Sequence, residues 1–146
     1  MPVTAVPRSP EVDALLAKIT RAKILVGDAI RPVGGGFPNE DTSQPFVAYA
    51  VLYPGVTTQI DGPVADPNAD VIAEYQLTSI GVTRKSASVI SDLVKAAILG
   101  GTPLAIPNRF VQLVEWTSGH PASRDDAVTP PLFYAIDIYA ICSSPA

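Results

Sequence analysis

The stretch Val71–Gly100, VIAEYQLTSIGVTRKSASVISDLVKAAILG, changes its hydrophobic period once, at a glycine. Before Gly81, Val71, Ala73, Tyr75 and Leu77 alternate with Glu74, Gln76 and Thr78, the period of a strand with one buried face. After it, Ala87, Ile90, Val94, Ala97 and Ile98 recur at helical spacing, with Leu93 beside them. Thr83 stands where an N-cap belongs, and Gly100 and Gly101 end a helix over Arg84–Leu99. A strand over Val71–Ile80 must therefore hand the chain to a helix within a few residues, and both need one apolar layer between them. All-helical and all-strand folds are excluded at this point.

The flanking segments complete the pattern. Ser9 can cap a helix with Pro10 at its first position. Val12, Leu15, Leu16, Ile19 and Val26 then fall on one stripe, so a helix is expected from Ser9 to Val26, ended by Gly27. Glu11 and Asp13 precede Lys18, Arg21 and Lys23, which suits the helix dipole. FVAYAVLY, Phe46–Tyr53, reads as a strand, followed by a turn at Pro54 and Gly55 and a short strand at Thr57–Ile60. Further strands are expected at Phe110–Trp116 and Leu132–Cys142. In the last, Leu132, Tyr134, Ile136 and Ile138 alternate with Phe133, Asp137 and Tyr139.

The order is α-β-β-α-β-β. The economical solution is an α+β fold, a single mainly antiparallel four-stranded sheet with two helices packed on one face. The other face is expected to be polar, with Glu74, Gln76, Thr78 and Asp137. The 146 residues fit one domain, with a flexible N-terminus over 1–9, long loops at 28–45 and 54–70, and a C-terminal tail at 143–146. Most of the 15 prolines lie outside the periodic segments, in RPVGGGFPNEDTSQP, YPGVTTQIDGPVADPNAD, GGTPLAIPN and VTPP.

Composition excludes several functions. Apolar residues make up 47% and charged residues 16%, which rules out a disordered chain. A net charge of −4 and a pI near 4.7 argue against tight DNA binding. Cys142 is the one cysteine, so neither an intrachain disulfide nor a cysteine zinc site is expected. MPVTAVPRSP is not a secretory signal, and no apolar run reaches membrane-spanning length.

The candidate chemical motifs are weak. VGGGF, Val33–Phe37, lacks the Lys-Ser/Thr of a phosphate-binding loop. Asp66, Asn68 and Asp70 have the spacing of a calcium loop, but Val71 stands where glycine is required and Leu77 where glutamate is. His120 lies in SGHPASRDD beside Ser118, Ser123, Asp125 and Asp126, and one short loop does not readily fix a catalytic triad. Cys142 reads as a small apolar residue at a strand end. Arg84 and Lys85 occupy the first turn of a helix, where cations oppose the dipole. They read as a solvated face, or as partners of a protein carboxylate, rather than as an anion site. No cofactor and no metal is expected.

The strand ending YAVLYPG, the loop DGPVADPNAD, the segment YQLTSIGVTRKSASVISDLVKAAILG with its GxTRxxA pattern, and the final strand FYAIDIYAI together resemble the tail terminator proteins of long-tailed (siphovirus) bacteriophages, actinobacteriophage type. The resemblance spans roughly Pro10 to Cys142. It implies a homohexameric ring seated on the last ring of the tail tube. The ring would stop tube polymerisation and present a surface for head attachment. The implied partners are further copies of the chain, the tail tube protein and the head–tail connector protein, with DNA passing through without specific binding and no membrane involved. The implied location is the head-proximal end of the virion tail, assembled in the host bacterial cytoplasm.

The residues are compatible with that role. A ring needs a heterologous interface whose rotation closes. Stiff loops lose less entropy on ordering, and an acidic chain does not hold DNA. The 54–70 loop, with Asp61, Asp66 and Asp70, and the cations Arg84 and Lys85 are expected at a subunit boundary. A head–tail connector or neck completion protein, a small enzyme using the His120 segment, and a non-viral binding module are the competing readings.

Overall fold

The computed structural model describes residues 9–59, 70–101 and 103–145. Their elements run α1 (Ser9–Arg21), β1 (Val26–Asp28), a 3₁₀ turn (Pro38–Glu40), β2 (Tyr49–Gln59), β3 (Val71–Gly81), α2 (Arg84–Leu99), β4 (Arg109–Asp125) and β5 (Leu132–Pro145). The sheet has five strands in the order β1-β2-β3-β5-β4. All pairings are antiparallel except β1 with β2. The expected α+β class with both helices on one face therefore holds, whereas the expected four strands become five.

The extra strand comes from the end of the first helix. Instead of reaching Val26, α1 stops at Arg21, and Lys23 turns the chain with φ +63°. Val26, Gly27 and Asp28 then lie parallel to Ala50, Val51 and Leu52. Two β-branched residues, Ile24 and Val26, follow this reversal, and sheet pairing outcompetes a further helical turn there. Leu15 and Ile19 remain fully buried, so the stripe that identified the helix was read correctly up to its end.

The most regular part is the one the sequence pattern defined best. Burial alternates along β3, with Val71, Ala73, Tyr75, Leu77 and Ser79 facing the helices. On α2, Val94 and Ile98 reach the same core as Leu15, Ile19, Leu52, Tyr75, Leu77 and Ile141. Each fully buried aliphatic side chain of this kind stabilises the fold by roughly 1.5–3 kcal/mol. Leu93 stays half exposed.

Three loop expectations are overturned. Pro54 and Gly55 do not turn the chain; β2 continues through them with a register shift between Pro54 and Thr57, a β-bulge. Proline is tolerated there because β1 covers β2 only along Ala50–Leu52, so Pro54 owes no N–H to a strand on its outer side. SGHPASRDD is not a loop either. It forms the second half of β4, an edge strand that carries register shifts at Val111/Leu113, Trp116/Ser118 and His120/Ser123. Pro121 sits in the last of these irregularities, again at an edge. Finally, Ser143 and Ser144 of the expected tail are paired within β5. Residues 60–69 of the expected 54–70 loop lie outside the described residues.

The face assignment of β5 also reverses. Ala135, Asp137, Tyr139 and Ile141 pair in register with Ser79, Leu77, Tyr75 and Ala73 and so face the helices. Tyr134, Ile136 and Ile138 face the other way, beside Ile80, Thr78 and Gln76. The helix-free face is thus mixed rather than polar, and Asp137 is inside. Alternation alone gives the period of a strand but leaves open which of its two faces is inward.

Candidate functional site

The corner between β3 and α2 is built for shape. Thr83 is in an extended conformation, and its hydroxyl accepts a hydrogen bond from the Ser86 backbone N–H at 3.0 Å. A Cβ on residue 81 would stand 2.6 Å from Ser86 Oγ and 2.7 Å from the Ala87 nitrogen, so the corner closes only over glycine. One N–H of the helix terminus is thereby used by the cap rather than offered to an anion.

Arg84 and Lys85 are exposed at this corner and join no ion pair among the described residues. Asp70 immediately precedes β3, whereas the two cations follow it. A strand of 11 residues separates its ends by roughly 35 Å. Within one chain Asp70 cannot neutralise Arg84 or Lys85. Asp61 and Asp66 lie outside the described residues.

The other sequence candidates are dispersed. His120 lies opposite Ile136 in the ladder. Ser123 Oγ donates to the Pro121 carbonyl at 3.3 Å, and Asp125 Oδ1 accepts from the Ala127 N–H at 3.0 Å. Asp126 pairs with Arg124 at 2.6 Å in the open. Burial, with Glu115 adding to it, pushes the Cys142 thiol up, away from the thiolate a nucleophile needs. Among the described residues no three His, Cys, Asp or Glu side chains gather as a metal site would require. In the VGGGF loop, Gly36 bridges Val47, and Arg31 pairs with Glu40 at 2.6 Å.

One polar cluster was not legible. Asp137, only 4% exposed, accepts from Ser91 Oγ at 2.5 Å and from Trp116 Nε1 at 2.9 Å. Lys95 Nζ stands 4.0 Å above the centre of the Trp116 ring. Residue 119 lies opposite Asp137, and a Cβ there would come within 2.6 Å of Asp137 Oδ1, so glycine makes room for the indole. Together these residues clamp α2 onto the edge strand β4 beside a cleft of about 230 Å³ that His120 also lines. Burial, reinforced by Asp137 and Asp92, pushes the Tyr139 phenol well above its ordinary range. The sequence signal lay in Asp137 itself, a carboxylate among apolar strand neighbours, but its partners come from α2 and β4.

A second groove runs between the helices, lined by Ala14, Ala17, Lys18, Arg21, Ala97 and Gly100 among others. Lys18 Nζ donates to the Ile98 carbonyl at 2.7 Å, which satisfies an acceptor in the last turn of α2. Among the described residues no helix is long and apolar enough to cross a membrane.

No protein-family model matches the sequence, and no curated protein does. Among solved structures, the chain is similar to a chain of the virion of a native gene transfer agent (GTA) particle, with a TM-score of 0.55 and 16% identity. The match covers 89% of this chain and 84% of that one. The two chains share a fold. The likeness extends across nearly the whole of both, so the helices and the sheet belong to one common architecture rather than to a local motif.

Proposed function

We propose that the chain is a structural protein of a virion and that it acts as a tail terminator. In this role a ring of copies, six in number, caps the tail tube, ends its polymerisation and offers the surface to which the head attaches. The observation that carries the proposal is the shared fold with a virion chain over most of both lengths. The sequence resemblance to tail terminators supports the finer role. Two physical features favour it further. The net charge of −4 suits a channel through which DNA passes without sticking. Among the described residues β1 and β4 are the outer strands of the sheet, and in this reading such edges offer places for copies to meet. The role calls for no catalysis and no cofactor, and its partners are further copies, the tube protein and the head connector.

Deleting the protein from the particle it serves and measuring tails by electron microscopy tests the reading. Over-long tails without heads support a terminator. Tails of normal length that fail to join heads would instead assign the chain to the neck or connector. Unchanged particles would overturn the virion role.

A further inference from the structure

α2 carries apolar residues on two sides. Ala87, Val94 and Ile98 are buried toward the sheet, yet Val89 and Leu93 are 45% and 48% exposed. Lys85, Val89, Leu93 and Ala96, all exposed, recur at helical spacing on the side away from the sheet. An outward apolar stripe on a helix that already buries its inner face marks a contact surface. The helix layer is also basic: α1 and α2 carry Lys18, Arg21, Arg84, Lys85 and Lys95 against exposed Asp13 and Asp92 and buried Glu11.

The helix-free face of the sheet has the complementary character. Beneath α2 it carries Ile136 and Ile138 of β5, both half-buried, and Glu74 of β3 and Glu115 of β4 on either side of Ala140. No lysine or arginine of the strands falls on this side. Arg109 bonds Ser143 and Arg124 lies opposite Phe133, both on the helix side.

Two contacts fix the height of α2 on the sheet. Ser91 bonds Asp137, and Lys95 stands over Trp116, which lies opposite Tyr139. Four helical residues rise roughly 6 Å and two strand residues roughly 6.6 Å, so α2 runs in step with β5. Val89 and Leu93 therefore lie at the levels of Ile136 and Ile138. Lys95 lies close to the level of Glu115, and Lys18, bonded to the Ile98 carbonyl, close to that of Glu74. In a closed ring the two surfaces of one contact share the same radius and the same height. With the helices toward one neighbour and the open sheet face toward the other, each outward residue meets the sheet residue beneath its own position. Val89 and Leu93 then reach the neighbour's Ile136 and Ile138, and Lys95 and Lys18 reach its Glu115 and Glu74.

We infer that neighbouring copies stack face to back, the outward side of α2 in one lying on the Ile136–Ile138 stretch of the open sheet face in the next. The occupant of both surfaces is a second copy of this chain. The contact is heterologous, because the two faces differ, and repeated rotation closes it into a ring. Apolar residues meet apolar ones and cations meet carboxylates, which fixes the direction of stacking. The inference rests on the ring reading above and specifies how the ring is held, with the main contact on the layers rather than on the strand edges.

Cysteine pairs in a Cys142→Ser background, treated with a short bis-maleimide in assembled particles, test this. Val89→Cys with Ile136→Cys and Leu93→Cys with Ile138→Cys are the pairs in register. Val89→Cys with Leu113→Cys is the pair out of register. A ladder of linked species ending at the full ring, from an in-register pair and absent from the out-of-register pair and from each single variant, is the expected result. Rings that form without any ladder, or that link equally well out of register, would overturn the stacking while leaving the ring itself standing. Linked dimers from Leu93→Cys alone would indicate helix against helix and overturn the face-to-back arrangement. A chain that shows no self-association in particles would sink both. As an independent readout, Leu93→Asp should give over-long tails although the isolated chain melts close to the parent, because it places a charge on the outward stripe without touching the core. Glu115→Lys, also at an exposed position, should do the same. Normal tails from both variants would count against the inference.

Discussion

The Tyr75 hydroxyl donates a 2.6 Å hydrogen bond to Glu11 Oε2, joining the middle of the sheet to the first turn of α1 across 64 positions of sequence. Both side chains are buried, at 0% and 1% exposure. Glu11 read as an acid complementing a helix dipole; it is a buried carboxyl group that accepts from Tyr75. Tyr75→Phe keeps the ring and removes one donor. It should lower the unfolding free energy by about 1–3 kcal/mol, measured by urea denaturation. A loss below the resolution of the melt would show that Glu11 does not rely on Tyr75.

The packing of α2 gives a sharper contrast. Val94 is fully buried and Leu93, its neighbour, is 48% exposed. Val94→Asp places an unpaired charge in the core and should cost several kcal/mol, enough to prevent folding. Leu93→Asp should shift stability by roughly 0.5 kcal/mol or less. Equal melting temperatures for the two variants would mean that α2 docks on another face.

Removing the carboxylate at the α2–β4 clamp should loosen one edge of the sheet. Asp137→Ala leaves the Ser91 hydroxyl and the Trp116 indole N–H without their acceptor, at about 1–3 kcal/mol for each donor that stays dry. Hydrogen exchange should accelerate in β4 more than in β3. Uniform acceleration would place the role of Asp137 in global stability alone.

Tyr139 predicts an alkaline transition. Its phenol is buried without a hydrogen-bond partner, and its folded pKa is raised above the ordinary value of 10. A group raised in this way gives stability that is complete below its unfolded pKa and is lost as pH climbs toward the folded one. Stability should therefore fall above about pH 10. Tyr139→Phe should flatten that fall and cost nothing at neutral pH, because it deletes an unsatisfied polar atom. A variant as alkali-sensitive as the parent would assign the transition to other groups.

Charge reversal at Arg84 and Lys85 tests assembly apart from folding. Reversing both to Glu places acids at the start of α2, where the dipole favours them, so the melting temperature of the isolated chain should not fall. If the corner meets a neighbour's carboxylates, tails in virions carrying this variant should be over-long. Normal tail lengths would remove the corner from the subunit boundary.

What could be read from the sequence depended on how local its cause was. The cap at Thr83, the glycine at the corner and the bounds of α2 followed from residues within a few positions of one another, and the structure reproduces them. The alternation of β3 was equally plain, because both of its faces carry consistent residues. The errors fell where partners distant in sequence decide. Pro54–Gly55 read as a turn and SGHPASRDD as a loop, but Pro54 lies beyond the stretch of β2 that β1 covers and Pro121 lies in the edge strand β4, so neither missing N–H breaks a ladder. Val26 looked helical until β2 was there to pair with it. Asp137 looked solvated because Ser91 and Trp116, which bury it, stand on other elements. Of the proposed boundary, Asp70 and the two cations were expected to be near one another, and the length of β3 keeps them apart within a chain.

The position of β5 bears on how the chain comes together as it is made. This strand is last in sequence among the elements but lies between β3 and β4, where it contributes to both ladders. A growing chain that has already emitted β3, α2 and β4 therefore still lacks the piece that joins them. Until β5 arrives, β3 has a vacant flank and β4 has no strand to lie against. Productive closure must then wait for a late insertion over large sequence distances, a slow step by the general dependence of rate on topology. During that wait, two strand flanks are open in every copy, so the hazard of mispairing is greatest before β5 is in place.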